Sequence, residues 1–247
     1  MKLMMTGDGL LIIDKPPDWT SNDVVQKVKR LLGARRVGHT GTLDPDATGV
    51  LVLCINGATK WSERLKDMDK TYRARIVLGR STDTGDASGR TLREAPVDKF
   101  TEPQITEVLN RFRGCIDQQV PLYAAVKVRG KALYRWAREK KAVTRPWRVV
   151  TIYRLVLRSF SANSLDIEVA CSKGTYIRAL AEDIGQALGC PAHLASLRRI
   201  EVGPFCLSQA IVLERLVEKV TAGRFDPAES LLQWDEAWTG AARKVTG

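Results

Sequence analysis

The chain has 247 residues, and its 39 lysines and arginines against 28 aspartates and glutamates give a formal net charge of +11. Hydrophobic residues make up 44% and charged residues 27% of the chain, which excludes wholesale disorder. Five scattered cysteines without a Cys-x-x-Cys pair argue against a disulfide scaffold or a zinc site. No stretch approaches the roughly 18 apolar residues of a membrane span, so we expect a soluble, cytoplasmic protein.

The N-terminal part of the chain predicts strand, helix, loop and strand. Residues 9–15 form a short apolar run closed by two prolines, which indicates a buried strand. Apolar residues recur at helical spacing over residues 24–32, behind the capping oxygens of residues 20–23. Residues 34–49 are rich in glycine and predict loop throughout, and the unbroken apolar run 50–55 predicts a strand buried on both faces.

The remaining elements suggest hairpins with helices between some of them. We predict helices at 58–65, 101–112, 133–140, 175–188 and 210–220, and strands at 72–78, 123–128, 147–160, 165–171 and 194–202. This pattern is typical of an α+β fold with a mixed, largely antiparallel central sheet flanked by helices and loops. We expect a single domain over residues 9–220 and a short tail over residues 221–247.

The cations are concentrated in two segments. Residues 127–148 contain nine cations, one acid and three interleaved aromatic residues, and residues 27–36 contain five cations and no acid. Cations take up phosphates and aromatic rings stack on exposed bases, so the pattern favours a nucleic acid partner. A solvated surface that maintains solubility is the alternative. Charge alone separates neither RNA from DNA nor an enzyme from a binding protein.

Several common catalytic motifs are missing from the sequence. It contains no G-x-x-x-x-G-K-[ST], no G-x-G-x-x-G that opens a helix, and no G-x-S-x-G. Hydrolysis of nucleoside triphosphates, dinucleotide binding and α/β-hydrolase chemistry are therefore disfavoured.

One candidate site is the loop 38–49, in which Asp44 and Asp46 flank Pro45 among glycines and hydroxyl residues. A carboxylate held by a rigid turn in front of a buried strand is suited to act as a nucleophile or general base. Two other interpretations stay open: an Asp-Pro turn with capping side chains, and a Mg²⁺ site built on the two carboxylates.

A second candidate is the segment 171–178, which leads from a predicted strand into the first turn of a helix, a place that binds anions well. Arg178 lies in that first turn, where the helix dipole disfavours a cation. We interpret Arg178 as the partner of a buried carboxylate. An arginine on an exposed helix face is the alternative.

Six segments in collinear order resemble the TruB family of pseudouridine synthases, over about residues 9–205. They are residues 9–16, 38–51, 70–72, 123–127, 172–178 and 197–199. The family isomerises a uridine in RNA to pseudouridine, and its bacterial members act on uridine 55 in the T arm of tRNA. The resemblance implies the pseudouridine synthase catalytic fold over residues 9–220 and chemistry without a cofactor or metal.

The resemblance also implies roles for individual residues. Asp44 would be the catalytic carboxylate, which attacks the sugar C1′ or starts glycal formation, and Arg178 would hold it ionised. Tyr72 would stack on the flipped uracil, and Tyr176 and Leu197 would line the same pocket. His39 would lie where the flipped nucleotide leaves the T loop, because the glycosidic bond is unreachable inside a stacked loop.

The chain departs from the family pattern at two places. Asp46 stands where the family usually has leucine, and the chain ends soon after Trp238, without the small RNA-binding PUA domain of most bacterial members. We expect a monomer that binds the tRNA T stem-loop, with no membrane association and no obligatory protein partner. Three alternatives are a guide-RNA-dependent relative resembling dyskerin, a non-catalytic RNA-binding module, and a glycoside or nucleoside hydrolase that uses Asp44 and Asp46.

Overall fold

In the computed structural model, which describes residues 5–233, the chain divides into two units. The first unit is Met1–Thr71 with Arg198–Gly247, and the second is Tyr72–Leu197. Among the described residues, no helix has the length and the apolar character that crossing a membrane would require.

The elements alternate between strands and short helices along the chain. The strands are β1 (Gly9–Lys15), β2 (Val37–His39), β3 (Thr48–Ile55), β4 (Lys70–Leu78), β5 (Arg80–Thr82), β6 (Thr91–Glu94), β7 (Gly114–Gln119), β8 (Lys127–Val128), β9 (Lys131–Ala132), β10 (Trp147–Ser161), β11 (Ser164–Cys171), β12 (Ala192–Val202), β13 (Phe205–Cys206) and β14 (Ile211–Val212). The α-helices are α1 (Ser21–Leu32), α2 (Ser62–Lys66), α3 (Glu102–Asn110), α4 (Leu133–Arg138), α5 (Ile177–Ala187), α6 (Leu213–Thr221) and α7 (Pro227–Ser230), with 3₁₀ helices at Asn56–Trp61 and Leu207–Gln209.

The first unit is built on the strand order β14-β1-β3-β12. Strands β1 and β3 pair antiparallel along their length and are buried on both faces, as the apolar runs predicted. Helix α1 begins with a capping box at Thr20 and ends at Gly33 in the left-handed conformation, so its predicted bounds are confirmed. The apolar face of α1 packs on one face of the two strands, and residues around Phe205 cover the other.

Two predictions for the first unit are wrong in part. The segment 34–49 is not loop throughout, because β2 pairs antiparallel with the second half of β3. The helix predicted at 210–220 begins only at Leu213, since Ile211 and Val212 pair in parallel with β1. In both places pairing with a neighbouring strand imposes extended backbone on residues without a clear strand pattern.

Strands β4, β11, β10 and β7 follow one another in this order in the second unit. The predicted hairpin is confirmed as β10 and β11, and α3 and α5 lie where helices were expected. The strand predicted at 123–128 is wrong except at Lys127 and Val128, while β7 was not predicted. The polar sequence of β7 carries no strand pattern, and its pairing with β10 makes it a strand. The predicted fold class, α+β with a mixed, largely antiparallel sheet, is confirmed.

The predicted tail is only partly covered by the structure. Residues 234–247 lie outside the described residues. Before them the chain forms α7, Leu231 is buried, and Leu232 exchanges two backbone hydrogen bonds with Leu10. Residues 227–232 are therefore an ordered part of the first unit.

Candidate active site

Asp44 lies in the first unit, in the turn between β2 and β3. Its carbonyl oxygen accepts a hydrogen bond from the amide of Ala47 at 3.1 Å, so the predicted Asp-Pro turn is present. The Asp44 side chain is half-buried, whereas Asp46 is exposed. The turn therefore treats the two carboxylates differently, and Asp44 has the more sheltered position.

Ser21, the buried first residue of α1, holds the residue that precedes Asp44. Its hydroxyl accepts a hydrogen bond from the amide of Leu43 at 2.9 Å and donates one to the carbonyl of Leu43 at 3.2 Å. Both backbone polar groups of Leu43 are thus satisfied by a single side chain from a capped helix. This contact couples the start of the turn to α1.

Lys15, at the end of β1, is fully buried and holds the residue that follows Asp44. Its ammonium donates hydrogen bonds to the carbonyls of Pro16 at 2.8 Å, Trp19 at 2.6 Å and Pro45 at 2.7 Å. Burial lowers the pKa of Lys15 from 10.5 to about 8. The negative charges of nearby acids raise this pKa and so oppose the effect of burial, and Asp46 contributes most. Lys15 therefore remains mostly a cation at neutral pH, and it holds the turn through its hydrogen bond to Pro45.

A buried arginine, Arg199 of β12, contacts both ends of the loop that carries Asp44. Its guanidinium donates hydrogen bonds to the carbonyls of Val50 at 2.7 Å, Gly41 at 3.1 Å and Thr42 at 3.5 Å. Residues 197–199 are one of the segments that resemble the family, but no role was predicted for Arg199. The arginine pair after Leu197 was the available signal.

His39 is the last residue of β2, in the first unit, and is partly buried. Within residues 5–233, its Nδ1 atom is buried and makes no hydrogen bond. Burial lowers the pKa of His39, and the positive charges of Arg199 and Lys66 lower it further. The ring is thus neutral at physiological pH. His39 lies near the start of the segment 38–49 that carries Asp44.

Arg178 lies in the second unit and is buried, so the interpretation as an exposed surface arginine is wrong. Its guanidinium donates hydrogen bonds to the carbonyls of Thr84 at 3.0 Å and Tyr123 at 3.1 Å. Its Nη1 atom also lies 3.6 Å from Oδ2 of Asp86. A carboxylate partner was expected for Arg178, and Asp86 is one that sequence analysis did not identify.

The Asp86 carboxylate is fixed by its own turn. Its Oδ1 atom accepts hydrogen bonds from the hydroxyls of Thr84 and Ser88, both at 2.6 Å, and from the amide of Ser88 at 3.1 Å. The alternation of Thr84, Asp86 and Ser88 in a turn-rich segment was the signal for such a motif. The Asp86 carboxylate is therefore held in place beside Arg178.

Tyr176 occupies the N-cap position of α5, immediately before the helix. The buried amide side chain of Gln118 accepts a hydrogen bond from the Tyr176 amide at 2.7 Å and donates one to its carbonyl at 3.0 Å. The guanidinium of Arg148 lies 5.4 Å from the centroid of the Tyr176 ring. Gln118 lies in the strand that was not predicted, so its positioning contact was also missed.

The remaining predicted site residues are in the second unit as well. Tyr72, in β4, is 8% exposed, and Leu197, in β12, is half-buried. Asp44 and His39 thus belong to the first unit, and Tyr72, Tyr176, Arg178 and Leu197 belong to the second. Their joint role in one pocket, and the pairing of Asp44 with Arg178, stay predictions.

The Mg²⁺ interpretation of the two carboxylates finds no ligand set in the described part of the chain. Across residues 5–233, no group of three or more His, Cys, Asp or Glu side chains is arranged to hold a metal ion. Asp44 and Asp46 therefore belong to no such group.

Comparisons with known proteins agree with the motifs. Residues 29–177 match the family model described as TruB family pseudouridylate synthase (N terminal domain), and residues 178–234 match the tRNA pseudouridylate synthase B C-terminal domain. The chain is 49% identical over 235 residues to a tRNA pseudouridine synthase B of Bordetella avium, covering 94% of each protein. It is 52% identical over 212 residues to that of Bordetella parapertussis, covering 85% of this chain and 86% of the relative.

A solved structure shares the architecture at lower identity. A chain in the crystal structure of a Cbf5-Nop10-Gar1 complex is 30% identical, with a TM-score of 0.69. The alignment covers 88% of this chain but only 57% of that one.

Proposed function

The chain belongs to the TruB family of pseudouridine synthases, and from that premise we propose that it converts uridine 55 in the T arm of tRNA to pseudouridine. The relatives at 49% and 52% identity are named tRNA pseudouridine synthase B, which supports tRNA as the substrate class. The cations interleaved with aromatic residues over 127–148 support an RNA ligand independently.

The reaction is an isomerisation, and its atoms balance without a co-reactant. The bond from the sugar C1′ to N1 of uracil breaks, the base turns, and a bond forms from C1′ to C5. The proton on C5 is lost and N1 gains one. Asp44 would serve as the carboxylate that either attacks C1′ or takes a proton from the sugar to start glycal formation.

The observation that carries this proposal is the support of the Asp44 turn by three buried side chains. Ser21 holds Leu43, Lys15 holds Pro45, and Arg199 holds Gly41, Thr42 and Val50. A catalytic carboxylate needs a fixed position, because small displacements of a reacting group cost large factors in rate. A mere surface turn gains nothing from burying two cations beneath it.

The other predicted site residues would handle the substrate. Arg178, a buried cation, would hold Asp44 ionised, and the ring of Tyr72 would stack on the flipped uracil. Tyr176 and Leu197 would line the pocket. His39, neutral at physiological pH, would contact the nucleotide that leaves the T loop.

We further propose that the chain acts on tRNA without a guide RNA or a protein partner. Its identity to enzymes named for tRNA is near 50%, against 30% to a chain of the Cbf5-Nop10-Gar1 complex. Conversion of an unmodified transcript by the purified chain alone would support this. A requirement for added proteins would contradict it.

The test is single-turnover conversion of unmodified tRNA transcript with pseudouridine mapped at single-nucleotide resolution. Asp44→Asn should lower the rate by about a thousandfold or more, because the amide supplies neither nucleophile nor base. Melting temperature and tRNA affinity should stay near those of the wild type.

Asp46→Asn is the matched control, since it makes the same change two residues away on an exposed side chain. It should convert tRNA within about threefold of the wild-type rate, because most substitutions of exposed side chains have small effects and Asp46 has no part in the proposed chemistry. Conversion by Asp44→Asn within tenfold of the wild type would contradict the role of Asp44, and modification elsewhere than the T arm would contradict the proposed substrate position.

A further inference from the structure

We propose that Arg199 is a positioning residue for the reaction, which sets the place of the Asp44 carboxylate by joining the two ends of its loop. The inference rests on the proposed function of Asp44. It concerns the first unit alone, because Arg199 and the loop both belong to that unit.

Arg199 bonds the chain on both sides of Asp44. Two of its nitrogens bond the carbonyls of Gly41 and Thr42 before Asp44, and Nε bonds the carbonyl of Val50 after it. One planar guanidinium thus connects the two ends of the loop. Closing a loop in this way removes conformational freedom from the residues between its ends.

The strand that carries Arg199 is itself held against the loop. Strand β12 runs parallel to the start of β3, with Arg199 opposite Gly49. Gly49 has φ +102°, and a Cβ atom there would lie 2.1 Å from the Arg199 carbonyl oxygen. Only glycine permits this approach, so the backbone of Arg199 has a fixed distance from the loop end.

The role of Arg199 differs from those of Lys15 and Ser21, which bond residues next to Asp44. Arg199 contacts the loop through main-chain carbonyls at its ends, and its rigid fork of donors can serve two directions at once. A lysine has a compact head on a flexible stem and cannot hold both ends with the same geometry. Loss of the fork should therefore displace Asp44 without removing it.

The test compares Arg199→Lys with the wild type in single-turnover conversion at saturating enzyme, together with tRNA affinity and melting temperature. The rate at saturation should fall by about 10- to 100-fold, the loss expected from a displacement near 1 Å. The dissociation constant for tRNA should change by less than about threefold, because Arg199 is buried and its replacement alters no exposed charge.

Val202→Ala controls for general loss of stability. Val202 lies in the same strand, is 1% exposed, and packs in the core cluster around Phe205. It should lower the melting temperature at least as much as Arg199→Lys and leave the rate at saturation nearly unchanged. An equal loss of rate in both variants would overturn the positioning role.

Arg199→Ala with added methylguanidinium keeps the test decisive if the lysine variant folds poorly. Low-millimolar methylguanidinium, far below denaturing concentrations, should restore the rate by about tenfold or more by refilling the buried donor site. Methylammonium should not. Equal rescue by the two cations, or rescue by neither, would overturn the proposal.

Asp44→Asn measured in parallel separates the two proposals. Loss of conversion in Asp44→Asn with wild-type conversion in Arg199→Lys would overturn the role of Arg199 and leave the proposed function intact. Wild-type conversion in Asp44→Asn would overturn both.

Discussion

Lys15 and Arg199 are charged side chains that the first unit buries to hold backbone carbonyls. Removing a cation from water is costly, and hydrogen bonds to carbonyl oxygens offset only part of that cost. The pKa of Lys15, lowered by burial to about 8, reflects this cost. Stability alone would favour apolar residues at such positions, which is why we connect both cations with the geometry of the Asp44 turn.

His39 gives a pH-dependent prediction at the scale of one residue. Its pKa in the folded protein is lowered, chiefly by burial, from the value of 6.5 that we take for the unfolded chain. As pH falls below 6.5, the unfolded chain binds a proton that the folded protein does not, so this residue's contribution lowers the free energy of unfolding.

We therefore expect wild type to lose more stability than His39→Gln between about pH 7.5 and about pH 5.5. Urea denaturation of both proteins at the two pH values measures the difference, and His193 is common to both. Parallel losses of stability would show that burial of the His39 ring does not disfavour its protonation.

Tyr72 separates stacking from hydrogen bonding. Tyr72→Phe keeps the ring, so single-turnover conversion should remain within about tenfold of the wild type if stacking is the main role. Tyr72→Leu removes the stacking face, worth about 1–3 kcal/mol per base, and should lose about tenfold to a hundredfold more than the phenylalanine variant. Equal rates for the two variants, with equal melting temperatures, would contradict a stacking role.

The basic segment 127–148 acts at the scale of an element. Strands β8 and β9 form a hairpin around Arg129 and Gly130, and α4 follows directly. Within it, Lys131 bonds Glu139 and lies 4.6 Å from the Trp136 ring centroid. Part of the positive charge of this segment therefore interacts with side chains of the same segment. Other cations of this segment are exposed, among them Arg135, Arg138 and Lys140.

Replacing Arg135, Arg138 and Lys140 together by alanine should weaken tRNA binding and its dependence on salt. If each contacts one phosphate, the slope of log K against log salt should fall by about two, since each contact contributes about 0.7 to 0.9. Filter binding over a series of salt concentrations measures this slope.

The control is a triple alanine variant of exposed cations outside both basic segments, Arg93, Lys99 and Arg215. It removes the same net charge and should leave the slope nearly unchanged. Equal slopes in the two variants would assign the effect to net charge rather than to residues 127–148.

At the scale of the whole molecule, a net charge of +11 attracts a polyanion from any direction but selects no sequence. Selection of one uridine must therefore come from short-range contacts. In the proposed function, Asp44 would supply the carboxylate, Arg178 would hold it ionised, and Tyr72 and Tyr176 would contact the uracil.

The sequence by itself determined the elements whose signals are local. Strand β1, helix α1 with its capping box and Gly33, and the β10–β11 hairpin follow from periodicity and turn chemistry within a few residues. The motif around Asp44 was likewise readable from local sequence, as one of the six collinear segments that carried the family resemblance.

Only the tertiary structure decided what depends on residues far apart in the chain. Strands β7 and β14 exist because a strand distant in the chain pairs with them, and their own sequences show no clear strand period. Arg199 bonds the carbonyl of Gly41 across 158 residues, and Arg178 bonds that of Thr84 across 94. Hydrogen bonds from a side chain to a main-chain carbonyl leave no mark on the residue that accepts them, so sequence patterns cannot reveal such partners.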